Sequence, residues 1–466
     1  MTLKQFFGPS DMTTGRPWEK ILAFTLPMLL GNIAQQLYNT VDSIVVGRYV
    51  GDNALAAVGS AGPIFNLLLV LFMGISMGAG VLVAQNFGAR DRVNLSKTIG
   101  NCIVLTAIAS GFIMVVGAIG TRPLLELLDT PASIIDWCAD YLLILSLGIA
   151  GCAYYNILCG VLRGLGDSVS ALIYLLIATV INIVLDLLFV AVLQMGVAGV
   201  ALATVIAQGV SAALCVWKLL RMRHLFDLDK SQFKLSKKHT LRIIQLGLPS
   251  GLTQAIFSLA SITVQSLTNS FGEMVIAANV IIMRVDGFAM MPNFSFGQAM
   301  SVYTGQNVGA GKWDRVQKGV RQGTGIAQAF AIVITIVLLF ANKYLFGIFT
   351  STEALIDLAG RMMRIMAVGY IAMSITQVLG GVMRGCGNTV TPMWISIITT
   401  VIIRVPVAYA MAYFTRSAEF PHGHPFALST SLLVSWTLGM IMSVVAFRWG
   451  KTRKGILAEM AKQETA

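Results

Sequence analysis

The stretch VAQNFGA at residues 83–89 occurs again, slightly altered, as TGQNVGA at residues 304–310. A second pair of segments, CGVLRGLGDSVS at 159–170 and GGVMRGCGNTVT at 380–391, repeats with the same separation. Both pairs lie 221 residues apart (304 − 83 and 380 − 159). A constant separation between repeated motifs predicts that the chain consists of two halves built in the same way.

The composition indicates that both halves lie in a membrane. Of the 466 residues, 56% are hydrophobic and only 12% are charged, and the mean hydropathy is +0.77. A soluble domain contains about twice that share of charged residues, roughly a quarter. Apolar runs long enough to cross a bilayer recur along the chain. These runs lie near 21–46, 55–84, 98–118, 141–161, 169–193, 198–217, 243–268, 276–304, 323–341, 362–383, 392–414 and 426–447. The sequence therefore predicts an all-α polytopic membrane protein with twelve transmembrane helices.

The two halves are expected to have the same orientation in the membrane, because each contains six spans, an even number. They would then form two six-helix lobes related by a pseudo-two-fold axis along the membrane normal, with a cavity where they face. We place the N-terminal lobe at 1–220, a polar cytoplasmic linker at 221–242, and the C-terminal lobe with its basic tail at 243–466. Two equal lobes around a cavity favour transport by alternating access.

The basic residues predict the topology. With both termini and the loops after even-numbered spans on the cytoplasmic side, 25 of the 33 Lys and Arg residues lie on that side. This distribution follows the positive-inside rule, so the net charge of +12 reflects topology rather than nucleic-acid binding. Both termini are predicted to be cytoplasmic. No cleavable signal peptide is expected, since the chain starts with a polar segment and the first apolar run is too long.

Polar side chains recur at helical spacing within three spans of the first half. They are Gln35, Asn39 and Asp42 in the first span, Asn182 and Asp186 in the fifth, and Thr204 and Gln208 in the sixth. Residues three, four or seven positions apart share one face of a helix. Because odd-numbered spans run outward and even-numbered spans run inward, Asp42, Asp186 and Thr204 are expected at a similar depth in the outer half of the bilayer.

The two aspartates predict a cation site. A carboxylate in hydrocarbon costs about 2.5–3.5 kcal/mol on insertion scales. Two carboxylates close together in a low dielectric cannot both stay ionised without a cation. Asp42 and Asp186 would therefore hold a proton or bind Na⁺ through oxygen ligands. The alternative is that each aspartate is only a structural hydrogen-bond partner between helices. Since intramembrane acids are functional by default, we predict a cation-coupling site with no other metal.

The second half lacks an equivalent of this site. The positions that match Asp42, Asn182 and Asp186 are Thr263 or Val264, Ile403 and Val407, respectively. A structural requirement common to both lobes would be expected in both. The cation site is therefore predicted in the N-terminal lobe alone.

The second half has charges of its own in the predicted spans, namely Arg284, Asp286 and Arg404. We expect all three to be buried, with Asp286 paired to Arg404 or Arg284 because an isolated buried charge would be very costly. The alternative is a role in coupling or in substrate contact. Near these charges, Met290 and Met291 are candidates for adaptable walls of a substrate cavity, together with Gln35, Asn39 and Gln208 of the first half.

Pro27 and Pro249 lie at matching places near the inner ends of the first and seventh spans. A proline inside a helix removes one hydrogen bond and permits a bend. A static kink is the favoured interpretation, and helix bending as a gate is the alternative.

Motifs for catalysis or ATP hydrolysis are absent from the sequence. GQNVGAGKW at 305–313 has Gln306 where a phosphate-binding loop requires glycine and Trp313 where it requires Ser or Thr. The four histidines fall in predicted loops, and HGH at 422–424 is interpreted as solvated rather than as a metal site. We therefore predict no enzyme activity, no cofactor other than the coupling ion, and secondary rather than ATP-driven transport.

The paired motifs are similar to those of a known family. Two six-span halves, AQNFGA and GQNVGA after the second and eighth spans, and GVLRGLGD and GVMRGCGN after the fourth and tenth resemble the multidrug and toxic compound extrusion (MATE) family. The likeness covers nearly the whole chain and is greatest to the prokaryotic DinF-like and MepA-like members. It implies export of an organic, often cationic, compound in exchange for H⁺ or Na⁺ across the cell membrane of a prokaryote.

The resemblance also implies roles for individual residues. Members with a site in the N-terminal lobe have an Asp in the first span, an Asn and an Asp four apart in the fifth, a Thr in the sixth and a Tyr in the fourth. The residues that match are Asp42, Asn182, Asp186 and Thr204, and Tyr141 is assigned as the tyrosine, with Tyr154 and Tyr155 as alternatives. The NorM-like branch has a glutamate about eight residues past the proline of the seventh span. Phe257 occupies that position, so the resemblance implies no second Na⁺ site.

Two functions fit this sequence, an ion-coupled exporter and a flippase for a lipid-linked precursor, which related folds transport. A flippase cavity should be strongly basic to hold a pyrophosphate, whereas the spans contain two arginines against three acids. We therefore predict a monomeric secondary antiporter of neutral or cationic compounds. Its partners would be a small organic substrate, the coupling cation and membrane lipid.

Overall fold

The structure of the protein is a computed structural model that describes residues 8–128 and 130–465. Within these ranges the chain is almost entirely helical, and it contains no β-strand. The helices of the first half are α1 (Pro17–Tyr49), α2 (Asp52–Gly88), α3 (Arg92–Leu127), α4 (Ile135–Leu147), α5 (Ile149–Gly164), α6 (Ser168–Asp186) and α7 (Gly196–Arg221). Helix α6 continues as a π-helical segment, Leu187–Val192, and a 3₁₀ turn, Lys230–Phe233, lies between the halves.

The helices of the second half repeat this order. They are α8 (Lys237–Ser270), α9 (Glu273–Gly309), α10 (Trp313–Phe340), α11 (Asn342–Gly347), α12 (Glu353–Ala367), α13 (Gly369–Gly385), α14 (Val390–Ile397), α15 (Val405–Phe414), α16 (Phe426–Trp449) and α17 (Lys451–Thr465). A π-helical segment, Ile398–Arg404, joins α14 to α15, so that these three elements form one span.

The number of spans agrees with the sequence. Ten helical segments are long and apolar enough to cross a membrane, and α4–α5 and α12–α13 are bent pairs that each pass the same test together. Counting each bent pair as one span gives twelve in the described part of the chain. The predicted all-helical, multi-span fold is therefore confirmed.

The two bent spans break at matching glycines, which the apolar pattern did not predict. The bends are 52° between α4 and α5 and 45° between α12 and α13. Gly148 and Gly369, at the breaks, are 221 residues apart (369 − 148). A methyl group on Gly148 would overlap the side chain of Val205, and one on Gly369 would lie 2.5 Å from the Trp436 ring. Each bend thus brings a glycine against a neighbouring helix of its own half.

The repeated GVLRG and GVMRG motifs pack two helices at close range. A methyl group on Gly164 of α5 would lie 2.6 Å from the backbone oxygen of Gly80 on α2, and one on Gly385 would lie equally close to the oxygen of Ser301 on α9. Transmembrane helices approach this closely only where small residues let their backbones touch. Asp167 and Asn388, three residues after these motifs, then cap the next helix by accepting a backbone N–H three residues later. The motif is therefore conserved between the halves for packing and capping.

Gly164→Ala is expected to destabilise the protein. The added methyl group meets backbone atoms, which cannot move aside cheaply, so we expect a loss of about 1–3 kcal/mol in the free energy of unfolding. Thermal unfolding in detergent measures it as a lower Tm. Gly111→Ala is the matched control, since the site is open and alanine favours a helix by about 0.5–1 kcal/mol. Equal Tm values for the two variants would contradict the close-packing account.

The described chain divides into two compact units whose borders fall inside helices. The first comprises Leu26–Gly251 with the described residues up to Asp11, and the second comprises Met12–Thr25 with the chain from Leu252 onward. The borders thus lie within two residues of Pro27 in α1 and of Pro249 in α8. The linker predicted at 221–242 is part of the first unit, so the division does not fall in the linker itself.

The segment Met12–Thr25 belongs to the second unit, and the linker before α8 belongs to the first unit. Hydrogen bonds explain both assignments. In the first unit Arg92 donates to the Asp227 carboxylate at 2.7 and 3.0 Å and thereby lowers the pKa of Asp227. Asn101 Oδ1 also accepts a hydrogen bond from the Ser236 N–H at 2.8 Å. In the second unit the Met12 N–H donates to Gln306 Oε1 at 2.9 Å. The repeated Gln-Asn motif of the second half therefore anchors the segment before α1.

Candidate functional site

The structure brings together three of the polar residues predicted to form a cation site. Asp42 lies on α1, and Asn182 and Asp186 lie one turn apart on α6. The Asn182 amide is assigned with its nitrogen toward both acids, 2.7 Å from Asp42 Oδ1 and 3.1 Å from Asp186 Oδ2, because this orientation gives each oxygen a donor. Asn182 and Asp186 are fully buried, and Asp42 is partly buried.

The local backbone of the fifth span changes form directly after Asp186. Helix α6 ends at this residue and the π-helical segment Leu187–Val192 follows. A π-helical turn inside a span is uncommon and occurs frequently at functional sites. It also changes the helical phase, so that the residues after Asp186 do not continue the polar face on which Asn182 and Asp186 lie.

The two carboxyl groups flank the same Asn182 amide and are close enough to interact electrostatically. Asp186 Oδ1 is buried and receives no hydrogen bond from any donor in the described chain. Two ionised carboxylates at this range repel each other strongly in a low dielectric, and a buried oxygen without a donor is costly. Both problems are solved by one bound cation. Carboxylate and amide oxygens suit a proton or a hard cation such as Na⁺, so the residues present fit either ion.

Two tyrosines lie near the acids, and Thr204 is connected to them through Tyr38. Tyr38 donates its hydroxyl to Thr204 Oγ1 at 3.4 Å, and both Tyr38 and Tyr141 are close enough to interact electrostatically with Asp42 and Asp186. Tyr38 was missed from the sequence, although its position four residues before Asp42 places it on the same face of α1. That spacing is the signal that could have found it.

The alternative tyrosines lie elsewhere in the first unit. Tyr154 donates its hydroxyl to the backbone oxygen of Ile103 at 3.0 Å, and Tyr155 packs against a core cluster that includes Cys159 and Cys215. Of the three tyrosines considered, Tyr141 is the one close to the two acids.

The other polar candidates of the first half have simpler surroundings. Gln35 donates to Asn39 at 3.5 Å along α1, where Asn39 is exposed and Gln35 partly buried. Gln208 on α7 is buried, and its Oε1 atom has no hydrogen-bond partner within the described residues. Of these three side chains, Gln208 therefore has a buried acceptor that no described donor uses.

In the second unit the expected ion pair is not formed. Asp286 on α9 accepts a hydrogen bond of 2.5 Å from the Tyr370 hydroxyl, and it interacts with Arg404 only at longer range, beyond 4 Å. Arg284 is exposed rather than buried, because it lies two residues from Asp286 and so on a different face of the helix. The expected burial of Arg284 and the direct pairing of Asp286 with an arginine are therefore wrong.

The two methionines proposed as cavity walls are mostly covered by protein. Met290 and Met291 are each 8% exposed, and Met290 belongs to the main core cluster of the second unit. The Asn293 amide also points at the Met290 sulfur from 3.9 Å. Met290 therefore contributes to the packing of this core, and its contact with a substrate stays a prediction.

A comparison with protein-family models matches the chain to the family MatE twice. The matched residues are 27–188 and 249–410, which together make up more than half of the chain. The two matches are 222 residues apart (249 − 27), one residue from the separation of the repeated motifs. The internal repeat is therefore a repeat of the family's own unit.

Curated proteins with similar sequences carry multidrug resistance names. The chain is 29% identical over 443 residues to the probable multidrug resistance protein YoeA of Bacillus subtilis, covering 93% of this chain and 94% of that one. It is 25% identical over 436 residues to the probable multidrug resistance protein NorM of Thermotoga maritima, covering 92% and 89%. These relatives match the chain from one half through to the other.

Solved structures show the same fold. An outward-facing multidrug resistance MATE family transporter of the MOP superfamily superposes with a TM-score of 0.86 at 24% identity, covering 98% of this chain and 99% of that one. A MOP superfamily transporter from Pyrococcus furiosus gives 0.86 at 23% identity, covering 99% of both. Fold, repeat and relatives agree. The chain therefore belongs to the MatE family of membrane-embedded multidrug efflux transporters.

Proposed function

We propose that this chain is a secondary antiporter that exports organic, often cationic, compounds in exchange for H⁺ or Na⁺ by alternating access. The observation that carries the proposal is the pair of carboxyls of Asp42 and Asp186, held around the Asn182 amide with one buried oxygen lacking a donor. A purely structural hydrogen bond between helices would leave no such oxygen. A site that needs a cation to be stable is suited to coupling.

The geometry supports a simple coupling mechanism. With a cation bound, the charges of Asp42 and Asp186 are partly neutralised and α1 and α6 can stay close. When the cation leaves, the two carboxylates repel each other and the Asn182 amide alone cannot compensate both. The loaded and empty sites thus favour different separations of the two helices. A carrier whose helices respond in this way can link release of the ion to a change of its conformation.

Pro27 is a position at which α1 can bend when the occupancy of the cation site changes. The proline lies inside this helix, where it removes one backbone hydrogen bond and makes bending cheaper. The border between the compact units also falls between Thr25 and Leu26, at the same place in α1. We propose that occupancy of the cation site changes the bend of α1 at Pro27.

We further propose that the chain lies in the cell membrane of a prokaryote as a monomer with both termini in the cytoplasm. The excess of Lys and Arg on the predicted cytoplasmic side supports this orientation. The flippase alternative is less well supported, because the negative charge of Asp286 offsets part of the charge of Arg404 at long range, although the two groups form no ion pair.

Transport into proteoliposomes tests the proposed function. Purified protein is reconstituted, and movement of the fluorescent cation rhodamine 123 is followed under an imposed pH gradient, an imposed Na⁺ gradient, or neither. We expect one of the two gradients to drive the dye in the opposite direction to the ion. Movement at the same rate under all three conditions would contradict ion coupling.

A further inference from the structure

A second group of charged and polar side chains lies in the second unit, away from the cation site. It consists of Asp286 on α9, Tyr370 on α13 and Arg404 at the end of the π-helical segment Ile398–Arg404. The charges of Asp286 and Arg404 attract each other, yet no nitrogen of Arg404 lies within 4 Å of the carboxylate. We call Asp286 and Arg404 an open pair, because the two charges attract each other without being in contact.

Neighbouring contacts hold the pair open. The Tyr370 hydroxyl binds Asp286 Oδ1 at 2.5 Å, and the Tyr370 ring is fully buried with its centre 5.3 Å from that of Trp436. The Asn293 amide donates to the Tyr370 backbone oxygen at 3.4 Å. The carboxylate is thus fixed by a rigid tyrosine and does not turn toward the arginine.

The open pair has unused hydrogen-bonding groups. Arg404 Nε is buried and has no hydrogen-bond partner in the described chain, and the same holds for Asn293 Oδ1, although Asn293 is 99% covered. The side chains of Asp286 and Arg404 themselves remain partly exposed. Charged side chains inside spans face water or the protein interior rather than lipid. A solute in an aqueous path could therefore reach them.

We infer that Asp286 and Arg404 form a binding subsite for zwitterionic substrates, with Arg404 receiving a carboxylate and Asp286 receiving a cationic N–H group. An ion pair kept only for stability would close, because opposite charges in a low dielectric attract strongly. A pair held apart with free donors and acceptors instead matches a molecule that carries both charges. This inference rests on the proposed function and narrows it by naming a substrate class.

Two matched dyes test the subsite directly. Rhodamine 123 is a cation, and rhodamine 110 is the same molecule with a free carboxylate in place of the methyl ester. Binding of each dye to purified protein in detergent is measured by fluorescence anisotropy. Arg404→Gln should weaken rhodamine 110 about tenfold or more, as expected for losing a hydrogen bond to a charged group, and leave rhodamine 123 within about threefold. Asp286→Asn should weaken both dyes to a similar degree.

Two further variants serve as a control for the removal of an arginine and as a conservative replacement of Arg404. Arg364→Gln removes an exposed arginine of the same unit and should leave the affinity for both dyes unchanged. Arg404→Lys keeps the positive charge but loses the planar guanidinium group. It should therefore weaken the binding of rhodamine 110 by less than Arg404→Gln does. It replaces Arg404→Gln if that variant does not elute as a single species in size-exclusion chromatography.

The outcomes separate the subsite from the proposed antiport. Equal weakening of both dyes by the Arg404 variants, or no weakening of either, would overturn the subsite. So would native protein that binds rhodamine 123 but not rhodamine 110. Selective binding that depends on Arg404 without any gradient-driven transport would instead contradict the antiporter and leave the subsite standing.

Discussion

Asp42→Asn is expected to reduce gradient-driven transport of rhodamine 123 by about 100-fold or more. The substitution removes one of the two carboxylates proposed to share the cation beside Asn182, and losing a charge-assisted contact costs about 1.5–3 kcal/mol of cation binding. The remaining carboxyl of Asp186 can stay protonated throughout the transport cycle. It then neither binds nor releases the coupling ion, so the ion gradient no longer drives the dye. The measurement is the initial rate of dye movement in proteoliposomes under the active gradient.

Asp140→Asn is the matched control for this result. Asp140 is an exposed acid of α4 in the same unit, so its replacement removes the same charge without touching the cation site. Its rate should equal that of the native protein. Asp42→Asn protein that eluted normally and still transported at the native rate would contradict the coupling role of Asp42.

Asn182→Leu should reduce gradient-driven transport by about 10- to 100-fold. Leucine has the same branched skeleton of side-chain heavy atoms as asparagine but cannot donate to Asp42 and Asp186, which are then left without the amide between them. Leaving buried charged groups without a donor costs about 1–3 kcal/mol each. The expected loss comes from weaker cation binding, so a higher ion concentration should partly restore the rate, whereas a packing defect caused by the larger methyl groups would not respond to the ion.

Asn279→Leu provides the comparison for the amide. The Asn279 side chain is partly buried in α9 and donates to the Met283 sulfur at 3.7 Å, a weak interaction outside the site. It should change the rate by less than about threefold. If Asn182→Leu behaved like Asn279→Leu at every ion concentration, the bridging amide would have no part in coupling.

Much of the fold could be predicted because its signals are local. Apolar runs are set by the thickness of the bilayer, so each of the twelve spans was found near its place in the structure. The bends at Gly148 and Gly369 were not predicted, because they depend on contacts with Val205 and Trp436 from distant parts of the sequence. The unit borders inside α1 and α8 depend on tertiary hydrogen bonds in the same way.

The candidate site shows the same limit. Asn182 and Asp186 share a helix face because they are four residues apart, and the sequence contains that spacing. The partner of Asp286 could not be predicted by charge, since the group that binds it is the neutral hydroxyl of Tyr370. An uncharged donor on another span leaves no signal in the sequence, so the expectation of a direct ion pair with an arginine was wrong.

The central claim is that Asp42 and Asp186 together hold one coupling cation, and counting bound cations tests it most directly. Purified native protein and the Asp42→Asn/Asp186→Asn double variant are compared for proton uptake, with a pH indicator, and for retention of radioactive Na⁺. The account predicts that native protein binds about one cation more per chain than the double variant, either H⁺ or Na⁺. Equal binding of both ions by the two proteins would contradict it.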